Sequence, residues 1–157
     1  MNYKTGNILD NVKKGVIVHQ VNCQGKMNSG IAKEIRERWP EVFLQYRAKW
    51  QKDTWGDMSG ECLLGHVQWV EVESGLWIVN LFGQQYYGSY PGSRYTSYDA
   101  LDDGFKTIAW TLPGKGLQPE DVNLPLIGCG LGGGKWPVVE GIISANLGDK
   151  PTVWSLS

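Results

Sequence analysis

The chain has 157 residues, a length that predicts one domain over residues 1–157 and the burial of about two-thirds of the surface of the unfolded chain. Hydrophobic residues make up 41% and charged residues 20%, which is typical of a soluble globular protein. A net charge of −1 without a basic block argues against a duplex-binding protein, and no apolar run has the length of a membrane span.

The N-terminus and the cysteines indicate a cytoplasmic protein. The first residues lack the apolar core of a signal peptide. The three cysteines, Cys23, Cys62 and Cys129, are odd in number and have no paired spacing, which favours reduced thiols and argues against a zinc site. We therefore expect no metal and no membrane partner.

In the first half of the chain, apolar residues predict one strand and two helices. Residues 15–22 have the composition of a buried strand. A helix follows Ser29, a candidate N-cap, because apolar residues recur at every fourth position: Ile31, Ile35 and Trp39. Pro40 ends this helix and can open the next one, which has an apolar stripe of Phe43, Tyr46 and Trp50.

The second half predicts strands that alternate with helices. Residues 61–72 and 76–82 form a hairpin-like pair around residues 74–75. Residues 96–99 form a capping box before a helix with the apolar stripe Leu101, Phe105, Ile108 and Leu112. A strand over 121–127, a helix over 137–147 that stops at Gly148 and a strand over 152–156 complete the pattern. This alternation predicts an α/β fold with helices on both faces of a sheet.

Two glycine-rich loops each follow a predicted strand and precede a predicted helix, at residues 22–30 and 128–134. Glycine lets backbone N–H groups approach a ligand closely, and the N-terminus of the following helix favours negative charge. Two such loops suggest one ligand with a diphosphate, whereas either loop alone is equally explained by a tight turn. The second loop fits G-x-G-x-x-G but lacks the acidic partner downstream, so it does not identify a nucleotide.

The segments IVHQVN at 17–22, NSGIA at 28–32 and PLIGCGLG at 125–132 resemble the macro domain, a family that binds ADP-ribose. The similarity covers nearly the whole chain and is closest to the branch that includes ADP-ribose-1''-phosphate phosphatases. The resemblance implies a three-layer α/β/α domain with a central mixed, largely parallel sheet. It also implies an ADP-ribose cleft at the strand ends and a requirement for neither cofactor nor metal.

The resemblance also implies a role for particular residues. Asn22 would orient the distal ribose, and Asn7 stands where many members have an aspartate that contacts adenine. Trp154 is either an adenine platform or a buried core residue. The full set of expected ligand contacts is Asn7, Ile8, Asn28, Ser29, Gly30, Ile31, Phe82, Gly128, Gly130, Leu131, Gly132, Gly133 and Trp154.

His19 bears most directly on catalysis, because a histidine at this position is similar to the sequence pattern of the phosphatase branch. Its imidazole could transfer a proton to or from the reacting groups near neutral pH, with Asn22 as the second catalytic residue. The alternative is a histidine hydrogen-bonded within the sheet. In a regular strand His19 and Asn22 point to opposite faces, so a shared site requires a bend between them.

The favoured function is metal-free hydrolysis of ADP-ribose-1''-phosphate to ADP-ribose and phosphate. The alternatives are a non-catalytic module that binds ADP-ribose, and a hydrolase that removes ADP-ribose from its targets without a lysine. The lysine expected after the fourth strand in such hydrolases is absent from residues 82–87. A nucleic-acid partner is expected only through ADP-ribose, and Tyr86, Tyr87 and Tyr90 either close over the ligand or serve a partner.

Overall fold

The structure is a computed structural model that describes residues 1–55, 57 and 59–157. The strands are β1 Asn2–Thr5, β2 Gly15–Asn22, β3 Val67–Glu73, β4 Leu76–Gln84, β5 Val122–Leu124 and β6 Thr152–Ser155. The helices are α1 Ile8–Asn11, α2 Gly30–Arg38, α3 Pro40–Asp53, α4 Tyr98–Thr111 and α5 Trp136–Leu147. Short 3-10 turns occupy Glu61–Leu63, Leu112–Lys115 and Pro119–Asp121.

The six described strands form one sheet in the order β1-β6-β5-β2-β4-β3. All neighbouring strands are parallel except β3 and β4, which form an antiparallel hairpin around Gly75. Gly75 has φ +79°, a backbone conformation that glycine adopts at no steric cost. The carboxyl ends of β2, β4, β5 and β6 therefore meet at one edge of the sheet.

Each face of the sheet carries its own apolar core. Ile17, Ile78 and Phe82 pack beneath α1, α2 and α3, and Val18 and Leu81 pack beneath α4 and α5 on the other face. Alternation of side chains along each strand explains why successive residues enter opposite cores. The predicted fold class, three α/β/α layers around a mixed and largely parallel sheet, is confirmed.

Local signals explain most helix boundaries. Trp39 leaves the helical conformation at φ −131° and ψ 82°, and Pro40 occupies the first position of α3. Gly148, with φ 70°, ends α5. In the described part of the chain, none of these helices is both long and apolar enough to cross a membrane.

The structure corrects three local predictions. The strand predicted over 121–127 is limited to β5 Val122–Leu124, because Asp121 ends a 3-10 turn and the chain turns after Leu124. Residues 61–72 are not one strand, because a 3-10 turn occupies Glu61–Leu63 and β3 begins only at Val67. Helix α4 has no capping box, since Ser97 alone caps it by accepting a hydrogen bond from the Ala100 N–H at 3.1 Å. Thr96, one residue earlier, is buried and bonded elsewhere.

Candidate functional site

A cleft of about 750 Å³ opens at the carboxyl ends of β2, β4, β5 and β6. This volume is within the range of small-molecule sites, and the carboxyl ends of parallel strands are the usual place for a ligand in an α/β sheet. The cleft brings together ten of the predicted site residues: Asn22, Asn28, Ser29, Gly30, Ile31, Gly128, Gly130, Leu131, Gly132 and Trp154.

The strand order also fixes the order of features along the cleft. Trp154 lies on β6, the second glycine loop follows β5, and Asn22 ends β2. Because β5 lies between β6 and β2, the strands carrying Trp154 and Asn22 are about 10 Å apart, or two strand spacings. The glycine loop therefore lies between the tryptophan end and the asparagine end of the cleft.

The second glycine loop leaves consecutive backbone donors unpaired. Its backbone hydrogen bonds run from the Gly133 and Gly134 N–H groups to the carbonyls of Gly130 and Gly128. The Cys129 N–H donates to the Leu126 carbonyl just before the loop. Within the described residues, the N–H groups of Gly130, Leu131 and Gly132 donate to no protein acceptor. All three of these residues line the cleft, so their N–H groups are candidate donors for an anion bound there.

The first glycine loop contributes the N-terminus of helix α2. Ser29 is its N-cap residue, but the Ser29 side chain makes no capping hydrogen bond. The first-turn N–H groups at Gly30 and Ile31 are thus available at the positive end of the helix dipole, and both residues line the cleft. Gly30 has φ +58°, which lets the chain turn into the helix beside the ligand space.

The Asn22 side chain is held in place by its own loop. Its Oδ1 accepts from the Gln24 N–H at 2.9 Å and lies 2.8 Å from the Tyr46 hydroxyl. Burial raises the pKa of Tyr46, so this hydroxyl remains a hydrogen-bond donor. One hydrogen of Asn22 Nδ2 is donated to the Lys26 carbonyl at 2.9 Å, and the other remains for a ligand.

The cleft is largely apolar and carries little charge. Among the described residues that line it, Lys26 has the one charged side chain. Asn28 also lines the cleft and accepts from Arg36 Nη1 through its Oδ1 at 3.2 Å, which leaves its amide hydrogens for a ligand. Over residues 1–55, 57 and 59–157, no three His, Cys, Asp or Glu side chains converge to hold a metal ion.

The structure contradicts the catalytic role predicted for His19. His19 is fully buried in β2 and does not line the cleft. Its Nε2 lies 2.6 Å from Asn80 Oδ1, and Asn80 Nδ2 donates to Gln68 Oε1 at 3.0 Å. Burial lowers the pKa of His19 to about 4, so the ring is neutral at pH 7. Asn22 does line the cleft, as do Gln20 and Val21 of the same strand.

Four other predicted contacts lie outside the cleft lining. Asn7 caps α1, where its Oδ1 accepts from the N–H groups of Leu9 and Asp10. Ile8 and Phe82 are buried in the core beneath α1, α2 and α3. The left-handed turn at Gly133 packs against the Ser93 carbonyl, so this glycine is required by loop geometry.

The position of Trp154 agrees with its role as a core residue and leaves it within reach of a ligand. The ring packs against the core and its Nε1 donates to Asn123 Oδ1 at 2.9 Å, yet the residue also lines the cleft. Among the three tyrosines of the 86–90 segment, Tyr87 is the one that lines the cleft, together with Gly88 and Ser89.

Thr96 holds the second glycine loop against the sheet, a role the sequence did not predict. Its Oγ1 donates to the Gly128 carbonyl at 2.8 Å and accepts from Gln20 Nε2 at 2.9 Å. Its N–H donates to the Gly132 carbonyl at 3.0 Å. Thr96 is thus the buried link between the loop and β2, although it does not line the cleft itself.

Replacing Thr96 by valine should lower the free energy of unfolding by about 1–3 kcal/mol, because two buried polar partners lose their hydrogen bonds. Urea denaturation measures this effect. Thr107→Val is the control, since Thr107 is exposed on α4 and its hydroxyl donates only to the backbone of its own helix. Equal stability of the two variants would contradict the structural role of Thr96.

The fold and the cleft define an α/β domain with a candidate ligand site at the carboxyl ends of its parallel strands. The family model described as Macro domain matches residues 18–143, so the chain belongs to the Macro domain family. This membership confirms the resemblance found in the sequence motifs.

The chain is also similar to individual proteins. The chain is 28% identical over 130 residues to an uncharacterized 17.5 kDa protein in the tk-vs intergenic region of Enterobacteria phage T4, covering 81% of this chain and 76% of the relative. It is also similar to a protein of unknown function from Bacteroides thetaiotaomicron, with a TM-score of 0.81, 30% identity and coverage of 98% and 96%. The fold matches Thermosipho africanus DarTG in complex with ADP-ribose, with a TM-score of 0.75, 16% identity and coverage of 98% of this chain and 41% of that one.

Proposed function

We propose that the cleft binds ADP-ribose. The observation that carries this proposal is that residues of both glycine loops with unpaired backbone N–H groups line the same cleft. Such donors, together with the dipole of α2, stabilise a diphosphate without a metal or a cluster of cationic side chains. The fold match to a protein in complex with ADP-ribose supports the same ligand.

The order of features along the cleft matches the order of groups in ADP-ribose. The diphosphate would occupy the centre, between the second glycine loop and the N-terminus of α2. The adenosine would extend toward the indole of Trp154, and the distal ribose toward Asn22. A hydroxyl of that ribose could accept the free hydrogen of Asn22 Nδ2.

Isothermal titration calorimetry tests this proposal. We expect ADP-ribose to bind with a stoichiometry of one per chain. AMP, which has one phosphate and no distal ribose, should bind at least about tenfold more weakly because it leaves donors at the centre of the cleft without an acceptor. Absence of heat with ADP-ribose on the folded protein, or equal affinity for AMP, would contradict the proposed site.

A second candidate function is hydrolysis of ADP-ribose-1''-phosphate to ADP-ribose and phosphate. The observation that favours it is the fixed orientation of Asn22, whose remaining donor is available to hold the distal ribose while its phosphate is attacked by water. His19 has no part in this version of the reaction, because it lies buried outside the cleft. The contribution of the protein would be orientation of the substrate and binding of its charge.

Release of inorganic phosphate from ADP-ribose-1''-phosphate tests the enzyme hypothesis. We expect release above the rate without protein, no loss of activity in EDTA, and at least about a hundredfold lower kcat for Asn22→Ala. Circular dichroism must show that this variant is folded, since Asn22 also orders its own loop. Normal ADP-ribose binding without phosphate release would contradict the enzyme hypothesis and favour a module that only binds ADP-ribose.

A further inference from the structure

Gln20 is a polar side chain on a face of β2 that is otherwise apolar. Val16 and Val18, the preceding residues of this face, are buried in the core beneath α4 and α5. Gln20 continues the same face at the carboxyl end of the strand, where it is half-buried and lines the cleft. The proposed ADP-ribose contacts make no use of this side chain.

The amide of Gln20 joins two walls of the cleft. Its Nε2 donates to Gln84 Oε1 at 2.7 Å and to Thr96 Oγ1 at 2.9 Å. Gln84 Nε2 in turn donates to the Tyr86 carbonyl at 2.7 Å, immediately before the segment 87–89 that lines the cleft. Thr96 binds the second glycine loop through its hydroxyl and its N–H. One side chain is therefore bonded to the supports of both walls.

Two glycines leave the space in which this amide lies. A Cβ atom built at Gly83, near the end of β4, would collide with Gln20 Oε1. A Cβ atom at Gly128, where the second glycine loop begins, would lie 3.1 Å from the same oxygen. The amide thus lies between the two backbones, and its size sets how closely they approach each other.

The polar atoms of Gln20 are not available to a ligand. Both hydrogens of Nε2 are donated within the protein. Oε1 is buried and has no hydrogen-bond partner in the part of the chain that the structure describes. Gln20 can therefore influence hydrogen bonding to a ligand only through the groups that it holds.

We propose that Gln20 is a positioning residue of the ADP-ribose site, which holds the second glycine loop and the segment 87–89 at the separation that the ligand requires. This inference rests on the proposed ADP-ribose site and adds to it a residue that acts through Thr96 and Gln84. Binding groups must be held within about 0.5 Å of the productive geometry. Loss of the Gln20 amide should therefore weaken binding although the backbone donors themselves remain.

Gln20→Met tests this role by calorimetry, because methionine has a similar length but donates neither hydrogen bond. We expect the affinity for ADP-ribose to fall at least about tenfold. Gln68→Met is the matched control. Gln68 is a half-buried glutamine of β3 whose side chain also makes two hydrogen bonds, at 2.9 and 3.0 Å, but it lies outside the cleft lining. Gln68→Met should lose stability, as Gln20→Met does, and keep its affinity for ADP-ribose.

A double-mutant cycle with Thr96→Val tests whether Gln20 acts through the network. Both substitutions disturb the same glycine loop, so their effects on affinity should not add. In the Thr96→Val protein, Gln20→Met should weaken ADP-ribose binding by less than about threefold. If Gln20→Met does not fold, Gln20→Asn replaces it and Gln68→Asn becomes the control, since the shorter amide cannot bridge Gln84 and Thr96.

The outcomes separate this inference from the proposed function. Unchanged ADP-ribose affinity in the folded Gln20 variant would overturn the positioning role, while the ADP-ribose site would stand. The role is also overturned if the Gln68 variant loses as much affinity, or if the effects of the Gln20 and Thr96 substitutions add. If the unaltered protein does not bind ADP-ribose, both the proposed site and the role of Gln20 are overturned.

Discussion

Replacing Gly130 by glutamate should abolish ADP-ribose binding and leave the protein folded. A Cβ atom built at Gly130 has no neighbour within 4 Å, and the residue does not have a positive φ. A side chain is thus accommodated by the protein, but its carboxylate would enter the cleft beside the row of N–H donors. Repulsion of the diphosphate and competition for those donors should weaken binding by at least about a hundredfold, or about 2.7 kcal/mol.

Gly114→Glu is the matched control for this variant. Gly114 also has open space around the position of a Cβ atom, and it lies in the 3-10 turn Leu112–Lys115, away from the cleft. Gly132→Glu is a poorer test, because a Cβ atom there would collide with Thr96 Oγ1 and approach the Gly128 carbonyl at 2.8 Å. Calorimetry and thermal unfolding of Gly130→Glu and Gly114→Glu decide the question. ADP-ribose affinity retained in Gly130→Glu would refute the placement of the diphosphate.

Elements determined by local sequence were predictable. The break between α2 and α3 follows from Pro40, and the β3–β4 hairpin follows from the turn at Gly75. The glycine loops were also predictable from local sequence. Left-handed turns and exposed backbone N–H groups depend on the glycine residues of the loop itself and not on distant partners. Ten predicted site residues accordingly line the cleft.

Elements determined by distant partners were not predictable. Strand β1 consists of exposed residues without an alternating pattern, and it forms because it pairs with β6 at the other end of the chain. Thr96 gives no sequence signal for its role, because its partners Gly128 and Gln20 approach it only in the folded sheet.

His19 shows how a single residue type can mislead functional interpretation. Histidine in a ligand-binding motif suggests proton transfer. The alternation of side chains along a strand, however, predicts that His19 and Asn22 face opposite sides of the sheet. The observed partner of His19 is Asn80 on the neighbouring strand β4. The alternative interpretation, a histidine hydrogen-bonded within the sheet, describes the structure.

Acidification should destabilise the protein through His19. Burial lowers the pKa of His19 to about 4 in the folded state, whereas the unfolded chain has the ordinary value of about 6.5. Between pH 4 and pH 6.5, His19 therefore binds a proton more readily in the unfolded chain than in the folded protein. The contribution of neutral His19 to the free energy of unfolding is fully present above pH 6.5. It is lost as the pH falls from 6.5 toward 4, by up to about 3 kcal/mol in total.

Urea denaturation from pH 7.5 to pH 4 measures this loss, and His19→Gln is the variant that isolates it. Glutamine keeps an amide donor for Asn80 but does not titrate, so the variant should lose much less stability over the same pH range than the unaltered protein. His66→Gln is the comparison, because partial burial also lowers the pKa of His66 and gives it a contribution of the same sign. Since His19 lies outside the cleft, ADP-ribose affinity at pH 7 should be nearly the same in folded His19→Gln and in the unaltered protein. Identical pH dependence of stability in the two proteins would contradict the lowered pKa of His19. Loss of ADP-ribose binding in the folded variant would contradict the position of His19 outside the site.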